Sequence, residues 1–407
     1  MTVDIGKFWP LDEDFNEEFW PTLARMRDQC PVVHSTAKDG FWALSSFEDI
    51  RKAARDPETF SSAVCVTSVP TAKKEPAVPG MSDPPLHTGL RKALIPWFSP
   101  RAVAAIEPVM RAVVQRLIGA VIDRGSCEFM REVAAPFPSR VFFEAVLGLG
   151  DRDDLHQLVE WTDETVINPE YAHAAFQAFS QWCEALLRER RQAPPRDDLI
   201  SSMLAIQVDG KPLEEVLLRG MLMSIIFAGL ETVQMALGNI MHHVATEPAV
   251  AAQLRDMLGD EERLAAAVEE FLRFEAPAVT ITRTTTRTAA VGDSVVPPGE
   301  RVVMYVASAN RDGNAFPNPD ELDFSRPILE NRHMSFGVGI HRCLGIHLAR
   351  LELRVALQEI LGRLDDIQLA ASPVHFRNGV VTRGPESLQL SFSSTESKKG
   401  SVPCESK

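Results

Sequence analysis

Apolar residues recur at helical spacing through the middle of the chain. From about residue 86 to residue 257 they predict helices over Arg101–Arg124, Ala135–Leu147, Asp151–Val166, Tyr171–Gln192 and Glu214–Thr246. Further helices are predicted over Glu261–Phe274 and from about Leu344 to Leu364. The first hundred residues are mixed. Asn16–Gln29 keeps helical spacing, and Ser46–Arg55 reads as a helix with Ser45 or Ser46 as its cap. Between them, Val32–His34 and Phe41–Leu44 flank Lys38-Asp39-Gly40, the signature of a hairpin around an Asp-Gly turn. Strand-like alternation returns at Val279–Arg283, at Ala289–Val296 and, after the turn Pro297-Pro298-Gly299, at Arg301–Val306. Short strand-like pieces near Ile367–Ala370 and Leu388–Phe392 close the pattern. The expected fold is mainly α with small β-sheets, an α+β body in which a long central helix crosses the core.

Within that helix, Gly220–Val244 is apolar enough to suggest a membrane span. Glu231, Gln234 and Asn239 lie inside it, and charged or amide groups at bilayer depth are costly, so a buried core helix is the expectation. Two stretches lack periodicity. Val66–Asp83 is rich in proline, serine and threonine and reads as a long, functional loop. Ser393–Lys407 is polar and reads as a disordered tail, which leaves residues 1–392 as one expected domain. No internal repeat is evident.

Composition changes the picture in three ways. A chain of 407 residues, 45% hydrophobic and 24% charged, can enclose a cofactor. A net charge of −14 disfavours nucleic acid and anionic membranes as partners. The six cysteines, Cys30, Cys65, Cys127, Cys183, Cys343 and Cys404, are widely spaced without a C-x-x-C pair. That argues against zinc and against a dense disulfide framework, and fits a reducing cytoplasm. The N-terminal Met1-Thr2-Val3-Asp4-Ile5-Gly6 has no basic start leading into an apolar run, so no membrane anchor is expected.

The chemistry concentrates at Ser335-Phe336-Gly337-Val338-Gly339-Ile340-His341-Arg342-Cys343-Leu344-Gly345, which runs into a helix. A cysteine at a helix mouth meets unpaired N–H groups and a positive dipole end, both of which favour a thiolate. The glycines let backbone pass close to a flat partner. A thiolate in that position suits an axial haem ligand. A buried inert cysteine and a hydrolase nucleophile served by a distant histidine are the competing readings.

The stretch resembles the cysteine-ligand loop of the cytochrome P450 monooxygenases. Phe336, Gly339, Cys343 and Gly345 meet the pattern F-x-x-G-x-x-x-C-x-G in full. The resemblance implies the cytochrome P450 fold and haem b (iron protoporphyrin IX) with Cys343 on the iron. Ala228-Gly229-Leu230-Glu231-Thr232 resembles the family's A-G-x-[DE]-T segment on the helix over the haem. A mid-helix glycine costs about 1 kcal/mol against alanine, and at Gly229 smallness would clear room for the cofactor. Thr232 and Glu231 would form an alcohol–acid pair delivering protons during dioxygen cleavage. Glu231 stands where aspartate is commoner, and Val233 where a second threonine is frequent.

Further motifs follow in family order. Glu270-Phe271-Leu272-Arg273 resembles the E-x-x-R helix, and with Arg326 implies a charge triad bracing the cysteine loop. Asp83-Pro84-Pro85-Leu86-His87-Thr88-Gly89-Leu90-Arg91 resembles a haem-propionate segment. His87, Arg91, Arg283 and His341 are the implied propionate partners, since arginine donates paired hydrogen bonds to carboxylates. The implied pocket is lined by Ile225, Ala228 and Gly229, by Val279, Thr280 and Ile281, and by the Val66–Gly80 loop. Its apolar character implies a hydrophobic small-molecule substrate.

The implied activity is insertion of one atom of O2 into that substrate, by hydroxylation or epoxidation. The chain has no flavin or nicotinamide fingerprint, so electrons would come from an external ferredoxin-type donor with its reductase. Arg91, Lys92, Arg332 and Arg342 are candidates for receiving that acidic partner. A peroxide-driven peroxygenase and a non-catalytic haem sensor are the alternatives.

Overall fold

A computed structural model describes residues 2–64, 76–150, 154, 156–158, 160, 161, 172–208, 210–328, 331–372, 374–378 and 381–395. Most of the Val66–Asp83 loop, most of the Asp151–Val166 helix and the tail beyond residue 395 lie outside the described residues.

The N-terminal strand signals build one five-stranded sheet with contributions from far along the chain. Its strands are β1 (Val32–Ser35), β2 (Phe41–Leu44), β3 (Phe60–Ser61), β4 (Ile281–Thr285) and β5 (Arg301–Met304), in the order β1-β2-β5-β4-β3. The Asp-Gly turn forms as its residues require, with Lys38 and Gly40 at positive φ and Val32 opposite Leu44. β5 lies parallel to β2 and antiparallel to β4, with Val302 opposite Arg283. This register carries Arg283 into the interior, where it is 5% exposed.

The helical body packs around α2 (Glu215–Thr246), with α3 (Glu261–Glu275) and α4 (Ile346–Arg363) against it and α1 (Leu86–Leu94) in the same core. Among the described residues α2 alone is long and apolar enough to cross a membrane, with mean hydropathy 1.7 over its most apolar window. Met221, Leu222, Ile226, Leu237 and Met241 are nevertheless fully buried against neighbouring helices. Asp260 caps α3 by accepting from the N–H groups of Glu262 and Arg263, both at 3.1 Å. Ser46 caps Phe47–Ala53 in the same way, through the N–H of Asp49.

Several boundaries differ from the sequence-based expectation. The Arg101–Arg124 helix is broken at Ile106 into Pro100–Ala105 and Glu107–Val121, because Pro108 cannot donate a helical hydrogen bond. Ala135–Leu147 is not one regular helix. The α-helix Pro136–Val141 lies between wide π-helical turns at Met130–Ala134 and Phe142–Val146, with Pro136 and Pro138 interrupting the amide ladder. Ala289–Val296 turns back on itself at Gly292, as a hairpin of Ala289–Val291 and Ser294–Val296. The polar tail begins later than residue 393. Ser393 and Ser394 belong to the strand Gln389–Ser394, opposite Asp365 and Leu364, because sheet pairing accepts serines that composition alone assigns to disorder. The hairpin of Phe376–Asn378 and Arg383–Pro385 carries no clear period and is not foreseen from sequence.

Candidate active site

The cysteine loop is closed by its own backbone. The N–H of Cys343 donates to the carbonyl of Phe336 at 2.7 Å, and that of Gly337 to Met334 at 2.7 Å. Gly339 is obligatory: its φ is +80°, and a Cβ there would sit 2.4 Å from the carbonyl oxygen of Ala54. Gly345 caps α4 and its N–H donates to the Cys343 sulfur, which places that sulfur at the positive end of an 18-residue helix. Protein crowds around the thiol while its surface stays solvent-accessible. Burial pushes the thiol pKa up; the Gly345 N–H and the charges of Arg91, Arg342 and Arg350 oppose it.

Behind the loop lies a closed network of buried charge. Glu270 and Arg273, both 0% exposed, pair through two hydrogen bonds of 2.7 and 2.9 Å. Arg326 and Asn331 each donate to Glu270 Oε2 at 3.1 Å, and the Asp323 N–H donates to Oε1 at 2.9 Å. Arg273 spends its remaining donors on the carbonyls of Asn310, Pro319 and Glu321. The Asn310 side chain then donates to Ser335 Oγ and accepts from the Met334 N–H, where the cysteine loop begins. A second link joins α3 to α4. Glu269 accepts from Arg350 and His333. Burial alone would raise Glu269, but these two partners outweigh it and hold the carboxyl at about 2.

A basic cluster assembles from three distant stretches. His87 and Arg91 are on α1, Arg283 on β4, and His341 is in the cysteine loop. The rings of His87 and His341 stand 4.1 Å apart. Arg91 donates to the carbonyl of Arg342 at 2.8 Å, and Arg283 to that of its neighbour Thr282 at 2.7 Å. The Nε2 atoms of His87 and His341 are buried without a hydrogen-bond partner. Burial, then the charges of Arg283, His87 and Arg91, pushes His341 down to about 3. Burial likewise lowers His87, with Arg91 adding to the effect, and lowers Arg283 to about 10. The acidic group acting on His87 and Arg283 is Asp83, itself held by Ser61 and by the N–H of Ser62. A cluster so rich in donors and poor in acceptors fits an anionic group such as a carboxylate pair.

On α2, Ala228 is exposed although it lies in the middle of a helix whose flanks are buried, and Thr232 shares its face one turn on. Thr232 donates back to the carbonyl of Ala228 at 3.1 Å, which leaves its oxygen able to accept. At Gly229, expected from sequence to clear room for a cofactor, the structure places an aromatic side chain beside the missing Cβ. A Cβ there would meet the Phe142 ring at 3.1 Å, so the glycine serves packing against the π-helical turn, and Ala228 borders the open side. Glu231 is not paired with Thr232 in any hydrogen bond given by the structure; its Oε1 accepts from the Thr382 hydroxyl at 2.5 Å. Burial raises the Glu231 pKa, against the Thr382 bond and the charge of Arg377.

Ile225, Val279 and Thr280 are buried, and Ile281 is half-buried. The hydroxyls of Thr280 and Thr282 are buried without partners. The Val66–Gly80 loop is described only from residue 76 onward. Among the described residues no group of three or more histidines, cysteines and acids could hold a metal ion. Sequence reasoning missed Asn310, Asn331, Glu269 and Thr382. Each is defined by partners at least 24 residues away in sequence, and Thr382 also by a hairpin the periodicity did not show.

A profile of the cytochrome P450 family matches residues 166–390. Cytochrome P450 107B1 of Saccharopolyspora erythraea is 32% identical, over 96% of this chain and 98% of that protein. Cyclomarin C epoxidase CymV of Salinispora arenicola is 33% identical, over 91% of this chain and 95% of that protein. Among solved structures, cytochrome P450 CYP109Q5 from Chondromyces apiculatus superposes with a TM-score of 0.85 at 30% identity, covering 96% of this chain and all of that one. Full-length similarity to these proteins, on a fold that brings the cysteine loop, the charge network and the basic cluster together, shows that this chain belongs to the cytochrome P450 family, as an oxygen-inserting enzyme of its bacterial, haem–thiolate branch.

Proposed function

We propose that the chain is a cytoplasmic monooxygenase that binds haem b through Cys343, hydroxylates or epoxidises a hydrophobic small molecule, and takes electrons from a ferredoxin-type protein. The observation that carries this reading is the cysteine loop. Cys343 receives the Gly345 N–H, is pinned through the Phe336 carbonyl, and stays accessible within dense protein. His87 and His341, with unpartnered Nε2 atoms, and Arg91 and Arg283 fit the two propionates. Haem bound there supplies dioxygen binding and O–O cleavage, with electron donation from the thiolate.

The protein's part is to hold, shield and supply protons. Thr232, with its free lone pairs, is placed to orient a proton, and Glu231, whose neutral form burial favours, to supply it. Ile225, Val279 and Ile281 exclude water, while the unpartnered hydroxyls of Thr280 and Thr282 offer a polar contact to one substrate group. The similarity to cyclomarin C epoxidase supports an apolar natural product with an oxidisable alkene or C–H bond as the substrate class. Exposed Lys92, Arg332 and Arg342, beside half-buried Arg91, form the surface offered to an acidic electron donor. The free thiols of Cys30, Cys127 and Cys183 fit a reducing compartment.

The test is to purify the protein and extract its pigment, then titrate the ferric form with a library of apolar natural products while following the Soret band. The reading expects extractable haem b and a subset of compounds that shift the band. A colourless protein, or one carrying another cofactor, contradicts it. Arg342→Glu is expected to slow ferredoxin-driven reduction while leaving chemical reduction unchanged; equal partner-driven rates would remove that surface from the proposal.

A further inference from the structure

A cavity of about 240 Å³ separates α2 from the C-terminal hairpin of Phe376–Asn378 and Arg383–Pro385. Glu231, Gln234 and Met235 line it from one face of α2, and Arg377, Thr382 and Glu386 line it from the hairpin. The two ends differ. Arg377 and Glu386 form an ionic rim, with side chains 31% and 51% exposed and their nearest atoms 4.0 Å apart. At the other end Thr382 is 2% exposed and its hydroxyl donates to Glu231. The cavity is therefore lined both by solvent-facing charge and by the half-buried Glu231 carboxyl.

The hairpin is seated firmly enough to define that geometry. A Cβ at Gly384 would fall 2.6 Å from the Met235 sulfur, so the hairpin backbone rests directly on a side chain of α2. Asn239 donates to the carbonyl of Arg383 at 3.2 Å. The N–H of Val279 donates to Val381 at 2.8 Å, and Ala278 bridges Thr382, which ties the hairpin to the segment leading into β4. Thr382 is thus fixed by backbone on one side and holds Glu231 on the other.

We propose that this cavity is the solvent port through which Glu231 regains its proton, and that Thr382 is the positioning residue that keeps the Glu231 carboxyl in it. The proposal rests on the monooxygenase reading above. A proton given up by Glu231 towards Thr232 leaves a carboxylate, and water in the cavity returns one proton to it; no electrons move. Arg377 stabilises the transient carboxylate, and Glu386 stands beside Arg377 on the same rim. These are the charged groups that face Glu231 across the cavity.

The test uses the full-chain haem protein with Thr382→Val, Thr382→Ser and Glu231→Gln, and needs no identified substrate. Infrared difference spectra across about pH 5 to about pH 9 read the protonated carboxyl directly, with Glu231→Gln assigning its band. Dioxygen consumption by the chemically reduced protein in H2O and D2O reads proton delivery. Thr382→Val is expected to shift the Glu231 band, displace its titration and enlarge the solvent isotope effect; Thr382→Ser is expected to restore all three. The reduced carbon monoxide spectrum should match wild type in every variant, so its loss in the wild-type protein would count against the monooxygenase reading and not against the port. If Thr382→Val leaves the band, its titration and the isotope effect at wild-type values while Glu231→Gln changes them, the port assignment is overturned.

Discussion

The two faces of the site are built on opposite terms. Behind the cysteine loop every donor of Arg273 is matched to a protein acceptor, and Glu270 receives four partners. On the α2 side Thr232 only turns back on its own helix, and the Thr280 and Thr282 hydroxyls have no partner. Buried polar groups are normally satisfied. A set of buried charges matched donor to acceptor therefore marks a part that must not move, and a wall of unpartnered hydroxyls marks one able to meet something that is not protein. The cysteine loop belongs to the first kind, and the wall of Thr280 and Thr282, proposed to meet substrate, to the second.

The sharpest way to break this contrast is Arg273→Ala. It removes one of the two guanidinium partners of Glu270 at 0% exposure, and breaking a buried ion pair costs about 3–5 kcal/mol. Thermal unfolding should move down by several degrees and haem content should fall; unchanged values would show that the loop does not depend on the network. Next in size is Arg283→Leu. A charge-assisted hydrogen bond is worth about 1.5–3 kcal/mol, so transfer of haem to an apo-globin acceptor should accelerate roughly tenfold to a hundredfold. An unaltered transfer rate would remove Arg283 from the propionate set.

Acid offers a graded test of the second brace. Glu269 is held below its unfolded value of 4.5, at about 2. A carboxyl depressed in this way contributes stability above the unfolded value, and loses it as pH falls from about 4.5 towards 2. Glu269→Gln should therefore flatten the stability profile in that window and leave it parallel above; a profile parallel throughout would deny the brace. The smallest stability effect is expected for Thr232→Val, within about 0.5 kcal/mol, because its hydroxyl serves only a helical carbonyl. Its consequence should instead appear as peroxide released per electron pair consumed, and no change there would place the alcohol outside proton delivery.

Much of this contrast is legible in the residues. The cysteine loop carries its own geometry, since Gly339 and Gly345 sit where a tight approach and a helix mouth need them. The Glu270–Arg273 spacing puts both groups on one helix face. Other parts depend on tertiary placement. Gly229 reads in sequence as a clearance for cofactor, and only the position of Phe142 shows what fills that space. Thr382 has no motif. Its importance comes from a hairpin that brings it to Glu231 across 151 positions of sequence, and hairpins of three-residue strands leave little period to read. Local chemistry announces itself in sequence, while the partners that tune it arrive with the fold.

Sulfur from Cys343 bonded to haem iron is the claim on which the rest depends, and the carbon monoxide difference spectrum of the reduced protein tests it most directly. The account expects the strongly red-shifted Soret band of a thiolate-ligated haem in the wild-type protein, and its disappearance in Cys343→Ala. The same red-shifted band persisting in the alanine variant, or never arising in the wild type, would contradict it.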